Sequence, residues 1–138
     1  TLNKKAIIEK VPFLGICLGM QLMTKGSEEG KLNGLGWFDA ETIKFKPLDG
    51  LKIPHMGWNY IKSKNKDNYF LEKNKKYRFY FVHSYYVKCK EEEDVMFTTN
   101  YGGDFHSAIN KDNIYGMQFH PEKSLHFGMD ILDKFSKL

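Results

Sequence analysis

Gly15-Ile16-Cys17-Leu18-Gly19 sets a thiol between two glycines, with the apolar run Val11-Pro12-Phe13-Leu14 before it and good helix formers, Met20-Gln21-Leu22-Met23, after it. The stretch reads as strand, tight turn and helix, a nucleophile elbow with sulfur in place of the usual serine oxygen. The chemistry expected of such a cysteine is attack on a carbonyl carbon. Side chains at positions 15 and 19 are expected to collide with the neighbouring strand and helix, which accounts for the glycines. A cysteine at a helix N-terminus is expected to favour its thiolate, and the backbone N–H of Leu18 would face an oxyanion formed on the substrate. Taken alone, the stretch is equally compatible with a small buried apolar turn.

A thiol nucleophile needs a base, and the base needs an orienter. One of the five histidines stands out, in Gly116-Met117-Gln118-Phe119-His120-Pro121-Glu122. His120 falls at the end of a predicted strand, and residues i and i+2 of an extended segment point to the same side. The Glu122 carboxylate can therefore accept a hydrogen bond from the imidazole. Pro121 is expected to hold the intervening backbone extended. With the elbow, this pair predicts a Cys17-His120-Glu122 triad.

The elements that must position these groups follow from the pattern. Leu2 to Lys10 has a helical spacing of apolar residues. A Gly-rich loop follows the elbow helix through Gly26, Gly30, Gly34 and Gly36, and Trp37 to Phe45 alternates as a half-buried strand. Ile53 to Asn59 reads as an ordered loop between strands. Tyr77 to Val87 carries the strongest strand signal, followed by strands at Val95 to Tyr101, Phe105 to Ile109 and Ile114 to Phe119. Phe127 to Leu138 closes as a helix. The expected fold is α/β: a flavodoxin-like open sheet, helices on both faces and an antiparallel portion, in one domain over 1-138. Because an elbow strand normally lies inside a parallel sheet, further β/α units are expected upstream of Thr1.

Composition narrows the classes. Hydrophobic residues make up 41% and aromatic residues 15%, a folded globule rather than a disordered chain. The net charge of +4 comes from scattered lysines and a single arginine, Arg78, which argues against nucleic-acid binding. Two cysteines without C-x-x-C spacing give neither a disulfide framework nor a zinc site, so a reducing cytoplasm is the expected compartment. No apolar stretch is long enough to span a bilayer. No metal or cofactor is expected. Cys89 reads as a strand-end residue, and His55, His106 and His126 as surface or loop histidines.

Pro12 to Gln21 and Gln118 to Ser124 resemble class I glutamine amidotransferases. Gly34-Leu35-Gly36-Trp37, Ile53-Pro54-His55-Met56-Gly57-Trp58-Asn59 and Tyr80-Phe81-Val82-His83-Ser84-Tyr85 narrow the resemblance to the HisH-type glutaminase subunits of imidazole glycerol phosphate synthase. The resemblance implies hydrolysis of the L-glutamine side-chain amide and transfer of ammonia to a HisF-type cyclase subunit, in histidine biosynthesis. It also implies a glutamine-binding role for Gln21, and for the backbone of His83, Ser84 and Tyr85. Trp58, Tyr80 and Lys123 fall at positions near the partner interface. In that family, upstream units carry a Pro-Gly-x-Gly loop that supplies a second oxyanion N–H; no such loop occurs in these 138 residues. The C-terminal half also resembles HisH-like paralogues that feed ammonia to amidation of a surface-polysaccharide sugar. A structural subunit with a relic site is the non-enzymatic alternative.

Overall fold

The computed structural model describes residues 1–138. The sheet that carries the chemistry grows from β9 (Asp104–Lys111), which is bonded along both edges. One edge takes β10 (Ile114–Met117) and then β7 (Tyr85–Cys89), and the other takes β8 (Val95–Asn100). Beyond β10 lies β1 (Phe13–Ile16), in parallel; beyond β7 come β3 (Ala40–Lys44) and the short β2 (Gly26–Ser27). The short β5 (Lys62–Ser63) pairs with β8. A separate two-stranded sheet joins β4 (His55–Tyr60) to β6 (Arg78–His83). No helix is long and apolar enough to cross a membrane.

The alternation of side chains along β9 divides the interior into two cores. Ala108 belongs to one, with Phe79, Phe81, Phe97, Phe105, Met117, Phe119 and Ile131. Ile109 belongs to the other, with Ala6, Met20, Met23, Phe38, Val87 and Ile114. The first core lies under β6 and helix α2 (Leu125–Ser136), and the second lies under the elbow. Phe79 and Phe119 stack with centroids 4.1 Å apart, tying the end of β10 to β6.

Several sequence expectations are corrected. Ile53 to Asn59 is not a loop: six residues from His55 form β4, because each finds a cross-strand partner on β6. The long strand signal at Tyr77 to Val87 is two strands in different sheets, broken at Ser84. The N-terminal helix is a five-residue π-turn, Lys4–Ile8, that buries only Ala6. The elbow helix, α1 (Leu18–Gln21), is a single turn. Within residues 1–138, β1 is bonded to β10 alone.

Helix α2 sits hard against the turn that follows β10. A Cβ at Gly128 would fall 1.7 Å from the Pro121 carbonyl oxygen. Ala is normally the better helix residue by about 1 kcal/mol, but here the obstacle is backbone and cannot swing away. Gly128→Ala should therefore destabilise the fold by about 1–3 kcal/mol, read as a lower denaturant midpoint in urea unfolding.

Candidate active site

Cys17 follows β1 directly and has φ 51° and ψ −106°, a conformation that costs about 1–3 kcal/mol for a non-glycine residue. It is held there from both sides: its N–H donates to the Met117 carbonyl (2.7 Å) and its carbonyl accepts from the Gln21 N–H (3.2 Å). A Cβ on Gly15 would lie 2.5 Å from Met23 Cε and 2.6 Å from the Gly19 carbonyl carbon. Gly116, its partner in register, is equally tight against Met20. Gly19 is different: nothing lies within 4 Å of where its Cβ would be, so the expected collision at that position does not occur.

The thiol points at the Val82 carbonyl at 4.0 Å, a long contact even for sulfur, and accepts from Gln118 Nε2 (3.6 Å). Its pKa is raised from the ordinary value, first by burial; the Leu18 N–H and the Gln118 amide oppose this, while the Glu122 and Glu29 carboxylates add to it. The expected thiolate is thus corrected to a thiol. One turn of helix cannot offset the loss of water around the sulfur.

His120 is fixed at the adjoining position of the same strand edge. Its N–H donates to the Tyr80 carbonyl (2.9 Å), two residues along β6 from the carbonyl that faces Cys17. Its Nδ1 is 2.6 Å from Glu122 Oε1. The pairing expected from sequence is present, but not through an extended segment. Pro121–Lys123 form a 3-10 turn, and Glu122 reaches back over it. Proline suits the first position of such a turn because its φ is already set. Ser124 Oγ locks the turn by donating to the His120 carbonyl (2.6 Å) and accepting from the Tyr80 N–H (2.9 Å).

Gln21 is buried and uses its amide nitrogen twice, on the Tyr85 carbonyl (3.2 Å) and on Gln118 Oε1 (3.1 Å). Beside it opens a cavity of about 410 Å³, whose wall includes Leu18, Gln21, Ser27, Glu29, Lys31 and Asn33. Glu29 was not singled out from sequence, where Glu28-Glu29 reads as loop charge. Its position is set by the path of the loop after β2. Ser84 and Tyr85 link the two sheets, but their carbonyls are engaged: Ser84 by the Phe45 N–H, Tyr85 by Gln21 and by His83.

The His83 ring faces the interior and not the cavity. Tyr85 O can only accept, so His83 Nδ1 carries the proton at that 2.7 Å contact, and its Nε2 accepts from His55 Nδ1 (2.9 Å). His55 Nε2 then accepts from the Asn59 amide (3.2 Å). His55 stacks between Phe81 and Tyr101, which corrects its reading as a loop histidine. His106 is likewise structural, its Nδ1 accepting from the Cys89 N–H (3.1 Å). Burial pushes the Cys89 thiol up to about 12.

The outer face of the β4–β6 ribbon is apolar and open. Met56, Trp58 and Tyr60 are 61%, 42% and 55% exposed. Trp58 and Tyr80 are cross-strand partners with ring centroids 6.4 Å apart, and the Arg78 guanidinium lies 5.4 Å over the indole. Lys123 is exposed on the turn that carries Glu122. No group of three His, Cys, Asp or Glu side chains is placed to share a metal ion.

The family model for glutamine amidotransferase class-I matches residues 1–137. The chain is 57% identical over 138 residues to imidazole glycerol phosphate synthase subunit HisH 2 of Methanococcus maripaludis, covering 99% of this chain and 67% of that one. It is 44% identical to the HisH subunit of Leptospira borgpetersenii, covering 99% and 69%, and 48% identical to that of Methanocaldococcus jannaschii, covering 97% and 67%. Among solved structures it resembles a glutamine amidotransferase from Thermotoga maritima (TM-score 0.64, 20% identity, 99% of this chain and 51% of that one). It also resembles the CTPS glutaminase domain of Trypanosoma brucei (TM-score 0.65, 17% identity, 96% and 62%). The chain thus spans about two thirds of the relatives' length and half or more of these structures.

The histidine pair makes stability depend on pH. Burial lowers His55 to about 4, and burial lowers His83 to about 3, aided by positive charge at His55 and His120 and opposed by the Tyr85 carbonyl. Unfolded, each would titrate near 6.5, so below that pH the unfolded chain binds more protons than the folded one. The stabilisation is complete above pH 6.5 and is lost as pH falls toward about 4 and about 3. Melting temperatures measured between pH 6.5 and 5, above most carboxylate titrations, should fall with pH. In His55→Phe, which keeps a ring for the stack, that fall should be shallower.

Proposed function

The chain belongs to the class I glutamine amidotransferase family, and on that premise we propose that it is a glutaminase that releases ammonia from L-glutamine for a HisF-type cyclase. The observation that carries the reading is the adjacent attachment of elbow and base to one strand edge: Cys17 at the Val82 carbonyl, and His120, bound to Glu122, at the Tyr80 carbonyl.

Glutamine enters the cavity beside α1. Its ammonium group meets Glu29, the carboxylate in that wall, and its side chain runs past Gln21 toward the thiol. Because burial keeps Cys17 protonated, the proton must leave as the sulfur attacks. It passes to His120 Nε2, and the Nδ1–H bond to Glu122 stabilises the imidazolium. The S–C bond forms and the oxyanion is met by the Leu18 N–H. Collapse breaks the C–N bond, and His120 returns the proton to the leaving ammonia. The resulting thioester is hydrolysed by water that His120 deprotonates, giving glutamate and the free thiol.

The ribbon face supports the partner reading. Trp58, exposed, and Tyr80, half-buried, form a cross-strand aromatic pair at the back of the strand whose edge holds the site, and Lys123 stands on the turn that carries Glu122. Aromatic side chains with an arginine over them, as Arg78 lies over Trp58, are enriched at the centre of protein interfaces. A HisF-type barrel seated there would lie within one strand's thickness of the ammonia released. Histidine biosynthesis is the acceptor pathway favoured by the HisH names of the relatives.

Two measurements test this reading. Cys17→Ala should abolish glutamate release in a coupled assay run with the cyclase, while Glu29→Gln should raise KM for glutamine by about 10- to 100-fold with little change in kcat, the loss of one charge-assisted hydrogen bond. Full turnover by Cys17→Ala would overturn the nucleophile assignment. An unchanged KM in Glu29→Gln would remove Glu29 from the pocket.

A further inference from the structure

We propose that Gln118 is a positioning residue for the nucleophile, its side-chain amide holding the Cys17 sulfur and becoming the donor that the sulfur keeps when it ionises. The inference takes from the preceding section only that Cys17 is the nucleophile.

The direction of the Gln118 amide is dictated from a distance. Tyr85 O is a carbonyl and can only accept, so Gln21 must turn its NH2 group toward it (3.2 Å). The same nitrogen faces Gln118 at 3.1 Å, so Gln118 must present Oε1 there. Its own NH2 is then left facing Sγ, at 3.6 Å. Gln118 has no exposed surface and its backbone N–H is held by the Ser107 carbonyl (2.9 Å), so the side chain has no route to another orientation. A glutamine free to flip could offer sulfur an oxygen; this one cannot.

The two partners of the sulfur respond oppositely to loss of the proton. Val82 O accepts from S–H and has nothing to accept from a thiolate, so that contact turns repulsive. The Gln118 N–H contact strengthens, because a donor to an anion is worth about twice a donor to a neutral group. Deprotonation therefore moves the sulfur's allegiance from β6 to Gln118, away from the carbonyl and toward its amide. The titratable groups that face the sulfur from other elements are His120, the proton acceptor of the proposed mechanism, and the carboxylates of Glu122 on the 3-10 turn and Glu29 in the loop after β2, both of which disfavour the thiolate. Of the side chains hydrogen-bonded to the sulfur, Gln118 is the one that favours the thiolate, after the Leu18 backbone N–H.

Iodoacetamide reports the thiolate directly, without turnover. Its rate with Cys17 is measured against pH by mass-mapping the Cys17 peptide of the full chain; Cys89, held protonated to about 12, stays silent. Gln118→Met keeps the length of the side chain and removes the donor. Its alkylation midpoint should lie about one pH unit higher than that of the unmodified protein, a roughly tenfold slower reaction below both midpoints. A second measurement needs no variant: in the 15N-labelled protein, the Gln118 side-chain NH2 resonance should titrate with the same midpoint as alkylation. An unchanged midpoint in folded Gln118→Met, or an NH2 resonance that ignores the titration, would overturn the inference. If instead the Cys17-alkylated protein still hydrolysed glutamine beside its cyclase, it is the nucleophile reading that would fail.

Discussion

The geometry of the site rests on the free edge of β6. One edge of that strand is bonded to β4, through Phe79, Phe81 and His83; the other edge offers the carbonyls of Tyr80 and Val82. Those two groups are one strand repeat apart, about 6.6 Å. The first takes the backbone of His120 and the second takes the thiol of Cys17. Base and nucleophile reach this edge from opposite directions in the chain, over a hundred residues apart, and the strand sets their spacing. Everything around it keeps that edge in place. The stack of Phe79 on Phe119 binds β6 to the end of β10, and Ser124 bridges the Tyr80 N–H to the His120 carbonyl.

A second theme is the cost of keeping reactive groups dry. Cys17 is strained in its backbone and disfavoured as an anion, so the fold holds its thiol in reserve rather than as a standing thiolate. A protein that kept a free thiolate in a solvent-facing cavity would expose it to oxidation and to adventitious electrophiles. The polar groups beneath are paired throughout: Gln118 to Gln21, Gln21 to Tyr85, Tyr85 to His83, His83 to His55 and His55 to Asn59. Each member has one allowed direction because a backbone carbonyl near the middle of the run can only accept. A buried polar run of this kind is worth having only when every member is satisfied.

The sequence carried the parts of the site that are local. Cys17 between its glycines, and Glu122 two residues after His120, are visible because chemistry and spacing coincide within a few positions. β8, β9, β10 and α2 were legible as elements for the same reason, from the pattern within one element, with ends that differ from the sequence reading by up to two residues. What escaped were properties decided by contact at long range. β4 looked like a loop because Pro54 and Gly57 weaken its local signal, and only β6 opposite makes it a strand. His55 looked unpartnered because its partner is 28 residues away. Glu29 was one loop charge among several until the chain's path put it in a cavity wall. The state of Cys17 was misjudged because a helix start is a sequence feature, whereas the burial that outweighs it is not.

The spacing between base and nucleophile is written in backbone atoms. No change of side chain at position 80 or 82 removes a carbonyl, and only proline at 80 would delete the N–H that Ser124 receives. The side chains of those same residues are turned to the outer face, against Trp58 and Met56. One strand thus serves two masters without conflict. Mutation can rewrite the surface that a neighbouring molecule would feel, residue by residue, while the distance that matters to the reaction is inherited unchanged.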